Sequence, residues 1–251
     1  MKRLILTVLL YCFFCTINGV ASARELKYYL ICNEADKTRA EADASYAKAK
    51  LKDAKACIIL SKAGKIFLET LPKGVFNCSD LDLDNEKYNK TASLKARKKC
   101  KKRLISGNIE LIKANAEVAK AYDKAASAYE KAAKLYAKIA DEDTENLKDD
   151  AKITRNNAFT KASKTAEAYA KTSKAYAEAA RANIKLETIS KSYNELPGTP
   201  ENETFKEKYS SCIKEGREAN NEFVKARIAA LNEESKAAKA QAELMLNFEY
   251  K

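Results

Sequence analysis

Apolar residues recur along this chain every seven positions, with polar and charged residues filling the intervals. Leu104, Leu111, Val118, Ala125, Ala132 and Ile139 form one row. Ala114, Ala121, Ala128 and Leu135 run beside it, and Tyr122, Tyr129 and Tyr136 follow one place further on. Steps that alternate between three and four residues keep one stripe of a helix turned toward a neighbour, which is the signature of helices packed side by side. The pattern predicts an all-α fold, an elongated antiparallel bundle of three to four long helices with an Ala-rich, coiled-coil-like seam.

Four stretches carry the pattern. The first runs from about Glu25 to Leu71, with Ala35, Ala42, Ala49, Ala56 and Ala63 at heptad spacing, and stops before Pro72 and Gly74. The second begins between Glu86 and Ser93 and ends near Ala140, where Asp141-Glu142-Asp143-Thr144 offers capping side chains for a new start. The third carries Ala158, Thr165, Thr172, Ala179, Leu186 and Tyr193 on one row and Ala162, Tyr169 and Tyr176 on another, and ends at Leu196-Pro197-Gly198. The fourth starts near Thr204, with Phe205, Tyr209, Cys212, Gly216, Ala219, Phe223, Ala226, Ala230, Ala237, Ala240 and Leu244 on its stripe. Each stretch has roughly 45 to 50 residues, about 70 Å of helix. The joint at Asp141 contains neither Gly nor Pro, so a single helix of about 100 residues is the competing reading there. Tyrosines beside an Ala stripe are expected to cover it with their rings and reach solvent with their hydroxyls.

Composition narrows the class. Six Gly, three Pro, no Trp and 33% charged residues among abundant Ala, Lys and Glu give near-maximal helix propensity. Lys2 and Arg3 precede an apolar run from Leu4 to Ile17, and Ala21-Ser22-Ala23 supplies the small residues of a cleavage site. Residues 1–23 therefore read as a signal peptide and 24–251 as a single helical ectodomain. Its removal takes away Lys2 and Arg3 and lowers the formal charge from +12 to +10.

An oxidising compartment gives meaning to the remaining cysteines. Cys32, Cys57, Cys78, Cys100 and Cys212 are odd in number, so two disulfides are expected. In a four-helix hairpin model Cys78, Cys100, Cys212 and, slightly deeper, Cys57 fall at one end, while Cys32 sits at the other, available for an intermolecular link. Four cysteines allow three connectivities, of which Cys57 with Cys100 and Cys78 with Cys212 is preferred. The sequons at Asn77, Asn89 and Asn202 fall in or beside the same two connections. The expectation is a glycan-bearing, disulfide-stapled head formed by residues 72–92 and 196–204.

Catalytic chemistry finds little to work with. A chain without His forms no Ser-His-Asp or Cys-His pair and no His-ligated zinc or haem site. Asp80, Asp82, Asp84 and Glu86 alternate in the head connection but lack the Gly turn of a calcium loop. No enzyme activity, cofactor or metal is expected. Lys95, Arg97, Lys98, Lys99, Lys101, Lys102 and Arg103 surround Cys100 as the densest charge cluster. Such a run suits a polyanionic glycan through charge neutralisation, and without interleaved aromatics it is a poor nucleic-acid surface.

Stretches such as Ala121-Tyr122-Asp123-Lys124-Ala125-Ala126 and Lys174-Ala175-Tyr176-Ala177-Glu178-Ala179-Ala180, together with a leader, clustered cysteines and a long helical bundle, carry a resemblance. The chain resembles the helical-bundle surface glycoproteins of African trypanosomes. That group includes the alanine-rich protein of the brucei group, the glutamate/alanine-rich protein of the congolense group and the haptoglobin-haemoglobin receptor. The likeness rests on architecture and composition over nearly the whole mature chain and transfers no functional residue. It implies a non-enzymatic coat protein on a C-terminal lipid anchor, contacting host or vector components with its distal end. The sequence ends at Phe248-Glu249-Tyr250-Lys251 without a hydrophobic tail, so an anchor signal is expected beyond Lys251 or the protein is secreted. The alternatives are a receptor or carrier holding a ligand in an inter-helical groove, and a secreted effector that binds polyanions through Lys95 to Arg103.

Overall fold

The computed structural model describes residues 23–70, 90–141, 149–196 and 203–249. These form four helices: α1 (Ala23–Thr70), α2 (Lys90–Asp141), α3 (Asp149–Glu195) and α4 (Glu203–Glu249). Their bounds agree with the sequence punctuation, since α1 stops just short of Pro72 and α3 just short of Pro197. There is no strand among the described residues. No helix among them is long and apolar enough to cross a membrane.

The helices contribute segments to two compact units. The first unit comprises residues up to Ala44, Ala126–Lys171 and Glu234 onward, and the second comprises Ser45–Ala125 and Thr172–Glu233. In the first unit, Tyr136 and Tyr129 of α2 donate their hydroxyls to Asp36 (2.9 Å) and Asp43 (2.6 Å) of α1. Rising numbers on one helix meet falling numbers on the other, so the pair is antiparallel. Arg155 Nη2 of α3 reaches Ile139 O at 2.9 Å and Ser163 Oγ reaches Ala133 O at 2.9 Å. Those contacts make α2 and α3 antiparallel too, which excludes one continuous helix through Asp141. In the second unit, Lys52 of α1 meets Glu117 of α2, and Lys185 and Tyr193 of α3 meet Glu222 and Tyr209 of α4, again in antiparallel order.

Packing is asymmetric between the helices. Buried positions on α1 are Ala35, Ala42, Ala49 and Ala56 with Thr38, and those on α4 are Ala219, Ala230 and Ala237. Helices α2 and α3 supply the bulk, with Leu111, Val118, Tyr122, Tyr129, Tyr136 and Ile139 on α2 and Tyr176 among small residues on α3. Large residues from the inner pair thus fill the space that Ala leaves on the outer pair. The core cluster of the second unit shows this directly, joining Ala49 of α1 and Ala230 of α4 to Tyr122 and Tyr176. In the first unit Ala35 meets Ala132, Ala133, Tyr136, Ile139 and Ala166. Small residues also let helices approach until a hydroxyl reaches a neighbour's backbone. Thr165 Oγ1 lies 2.8 Å from Lys161 O of its own helix and 3.2 Å from Ala240 O of α4.

The α2 tyrosines depart from the expected covering position beside the seam. Tyr122, Tyr129 and Tyr136 are themselves core residues, with relative exposures of 0%, 1% and 7%, whereas Ala114, Ala121, Ala128 and Leu135 are only half-buried. The rings lie inside the seam, and the Tyr122 hydroxyl oxygen is buried rather than solvated. The reason is geometric, since a Tyr opposite Ala has room to extend across the core toward polar groups on the next helix.

Candidate functional site

Each unit contains one layer in which paired tyrosines are held by a cation. In the first, Tyr129 and Tyr169 stack with centroids 5.3 Å apart, and the Arg39 guanidinium lies 5.1 Å from both rings. Arg39 is fixed by Asp43 at 3.0 Å and by Gln241 of α4 at 3.2 Å. Burial, reinforced by the Asp43 carboxylate that accepts its hydrogen bond, pushes the Tyr129 phenol well above its ordinary range. In the second unit, Tyr122 and Tyr176 stack at 5.1 Å, with Arg227 of α4 5.0 Å and Lys50 of α1 4.1 Å from the Tyr176 ring. Arg227 Nη1 donates to Asp53 Oδ2 at 3.0 Å. Desolvation draws the Arg227 guanidinium down, but the Asp53 carboxylate outweighs it and the net shift is upward, so the cation is secure.

Beside this second layer lies a cavity of about 120 Å³. Its origin is a run of small residues, Ala56 on α1 with Ala179 and Ala180 on α3, where the opposing side chains Leu111 and Phe223 do not close the gap. Asp53, Asn115, Asn183 and Arg227 give it a polar wall, and Cys57 and Leu60 reach it from α1. Asn115 Nδ2 is already committed to Leu111 O at 2.9 Å. The volume is somewhat less than the ~150 Å³ of a hole that accepts benzene. The arrangement suits a small amphiphile that meets the Asp53–Arg227 pair with one end and Leu111 and Phe223 with the other.

Cys57 is exposed and Cys212 half-buried, and no disulfide joins described residues. Cys32 packs against the core cluster of the first unit, within hydrogen-bonding reach of Tyr28. It is a less accessible thiol for an intermolecular link than Cys57. Lys98, Lys99, Lys102 and Arg103 are exposed on α2 and Lys101 is half-exposed. The side chains of Lys95, Arg97 and Cys100 lie outside the described residues, as do Cys78, Asn77, Asn89, Asn202, the acidic positions 80–86 and most of the expected head. No group of His, Cys, Asp and Glu with metal-holding geometry occurs among the described residues.

No family model, curated protein or solved structure matches this chain. Sequence reasoning passed over the Arg39 and Arg227 layers. A faint signal existed, because Arg39 and Asp53 both lie four residues after a seam Ala on α1, but nothing marked Arg227 as their counterpart.

Proposed function

We propose that the protein is a non-enzymatic extracellular interaction protein of a cell surface, in which the helices form the scaffold and the connections at residues 72–92 and 196–204 contact host or vector components. One observation carries the reading. Polar groups inside both units are spent on fastening helix to helix: Tyr129 and Tyr136 to α1, Ser163 to α2, and Arg227 to Asp53. Such an interior is a support rather than a reaction vessel. The leader and the three sequons support an exported, glycosylated product, with a disulfide-stapled head and an anchor beyond Lys251 as further parts of the proposal. Mass spectrometry of the protein recovered from its source tests it. The expected result is a mature N-terminus at Arg24 with glycans on Asn77, Asn89 or Asn202. A chain that retains Met1 and unmodified asparagines would sink the proposal.

The cavity beside Asp53 and Arg227 favours a second reading, a carrier for a small amphiphile. Native mass spectrometry should then show a bound small molecule that is lost when Ala180→Leu fills the space. The exposed lysines on α2 keep polyanion binding as a third reading, checked by heparin retention before and after Lys98, Lys99, Lys102 and Arg103 are changed to Ala.

A further inference from the structure

Helix α1 of the second unit bears a second heptad stripe on its outer face. Ala47, Leu51, Ala54 and Ile58 follow one another in steps of four, three and four residues, and all are exposed, Leu51 at 57% and Ile58 at 53%. Leu51 and Ile58 each lie two residues beyond a buried Ala, Ala49 or Ala56, roughly 200° round the helix, so this stripe is opposite the one that holds the unit together. Scattered exposed apolar residues are ordinary. Among described residues ten of the eleven large ones lie on α1 or α4 and one on α3, and Leu51 and Ile58 stand one heptad apart on this stripe.

Charge borders the stripe on one side. Lys48, Lys55 and Lys62 are exposed at seven-residue spacing, in the positions that face a partner's flanking charges in a two-helix coiled coil. On the other border Lys50 lies over Tyr176, and Cys57 is exposed.

We propose that this face of α1 binds an amphipathic helix of a partner protein whose own apolar heptads are bordered by carboxylates. The alternating steps fit knobs to another helix, and the lysine row selects acidic flanks. A second copy of this chain is a poor occupant. Antiparallel α1 helices would oppose lysine row to lysine row, and parallel ones would set Lys55 against Lys50 or Cys57. The exposed stripe of α4, Val224, Ile228 and Leu231, is flanked by Lys225 and Asn232 and offers no acidic row either. A lipid surface is disfavoured because Ala at two of the four positions buries too little area to hold the helix in the bilayer. This surface is independent of the proposed head, so either reading can fail without the other.

The test uses the full mature chain and two synthetic peptides of roughly 28 residues, with Leu on the seam and either Glu or Lys on both flanks. Fluorescence anisotropy should show binding of the Glu peptide and none of the Lys peptide. The exposed double variant Leu51→Ser/Ile58→Ser, with unchanged circular dichroism, should weaken binding by at least about tenfold. Reversing Lys48, Lys55 and Lys62 to Glu should transfer preference to the Lys peptide. The proposal is overturned if neither peptide binds, if both bind alike, or if Val224→Ser/Ile228→Ser abolishes binding while the α1 variant does not. Concentration-dependent dimerisation through Leu51 and Ile58, or binding of anionic vesicles in preference to the Glu peptide, overturns it as well.

Discussion

Tyr136 serves three helices at once. It belongs to α2, stacks on Phe159 of α3 at 6.3 Å and donates its hydroxyl to Asp36 of α1. Tyr136→Phe keeps the ring and removes the donor, which should cost about 1 kcal/mol in urea unfolding. The same pair gives a pH signature. Burial raises the Asp36 carboxyl above its ordinary 3.8, and the Tyr136 hydrogen bond only partly opposes it. A carboxyl with a raised folded value binds its proton more tightly in the native state. Its contribution to stability is therefore complete below pH 3.8 and is lost as pH rises through the folded value. Asp36→Asn should flatten that decline in a pH series of urea melts, and Tyr136→Phe should extend it to higher pH. Gly216 of α4 gives a change of opposite sign, since a Cβ there would meet Ile189 Cγ2 at 3.8 Å, an ordinary contact. Gly216→Ala should stabilise the chain by about 1 kcal/mol through helix propensity, read from the urea midpoint. At this scale the heptads made the buried alanines legible. They did not reveal where the tyrosine hydroxyls go, because periodicity fixes a residue's angle on its helix and not the acceptor across the core.

Helices differ in how much of their surface they commit. Outer helices α1 and α4 bury almost only Ala, while α2 and α3 bury broad mixed faces. A position such as Ala42 or Ala237, at 0% exposure, has no space for a larger side chain. Ala42→Leu should destabilise by about 1–3 kcal/mol through overpacking, whereas Leu51→Ala on the outer face of the same helix should stay within about 0.5 kcal/mol. Thermal melts of the two variants separate these outcomes, and equal losses would contradict the assignment of faces. The helix ends were legible because Pro72, Pro197 and Gly198 stop helices by removing a donor or loosening the backbone. The reversal between α2 and α3 was harder to read, since only polar capping residues mark it. The outer stripe of α1 was present in the sequence as well, but Ala47, Leu51, Ala54 and Ile58 share the helix with the Ala49 and Ala56 row, and spacing alone does not announce which of two apolar faces turns inward.

The two units are compact without being contiguous in sequence. One is assembled from three separate lengths of chain and the other from two, and each contains part of every helix. Arg39 meets Gln241 in the first, and Asp53 meets Arg227 in the second. A chain ending at Glu195 therefore removes a wall from both. It should lose cooperative unfolding throughout, measured as a broad circular dichroism transition in place of a sharp one. Retention of a sharp melt at half the amplitude would show that one unit stands without α4. The stacked tyrosines have a last consequence, an optical one. With 13 Tyr, 8 Phe and no Trp in the chain, ultraviolet emission is dominated by phenol rings. Tyr122 and Tyr176 lie within 15° of parallel, Tyr129 and Tyr169 within 20°, and the Tyr129 hydroxyl donates a hydrogen bond to a carboxylate. Near-parallel rings share excitation and a carboxylate acceptor quenches it, so the folded protein is dim and brightens as the helices separate. The chain carries its own lamp for the state of its core.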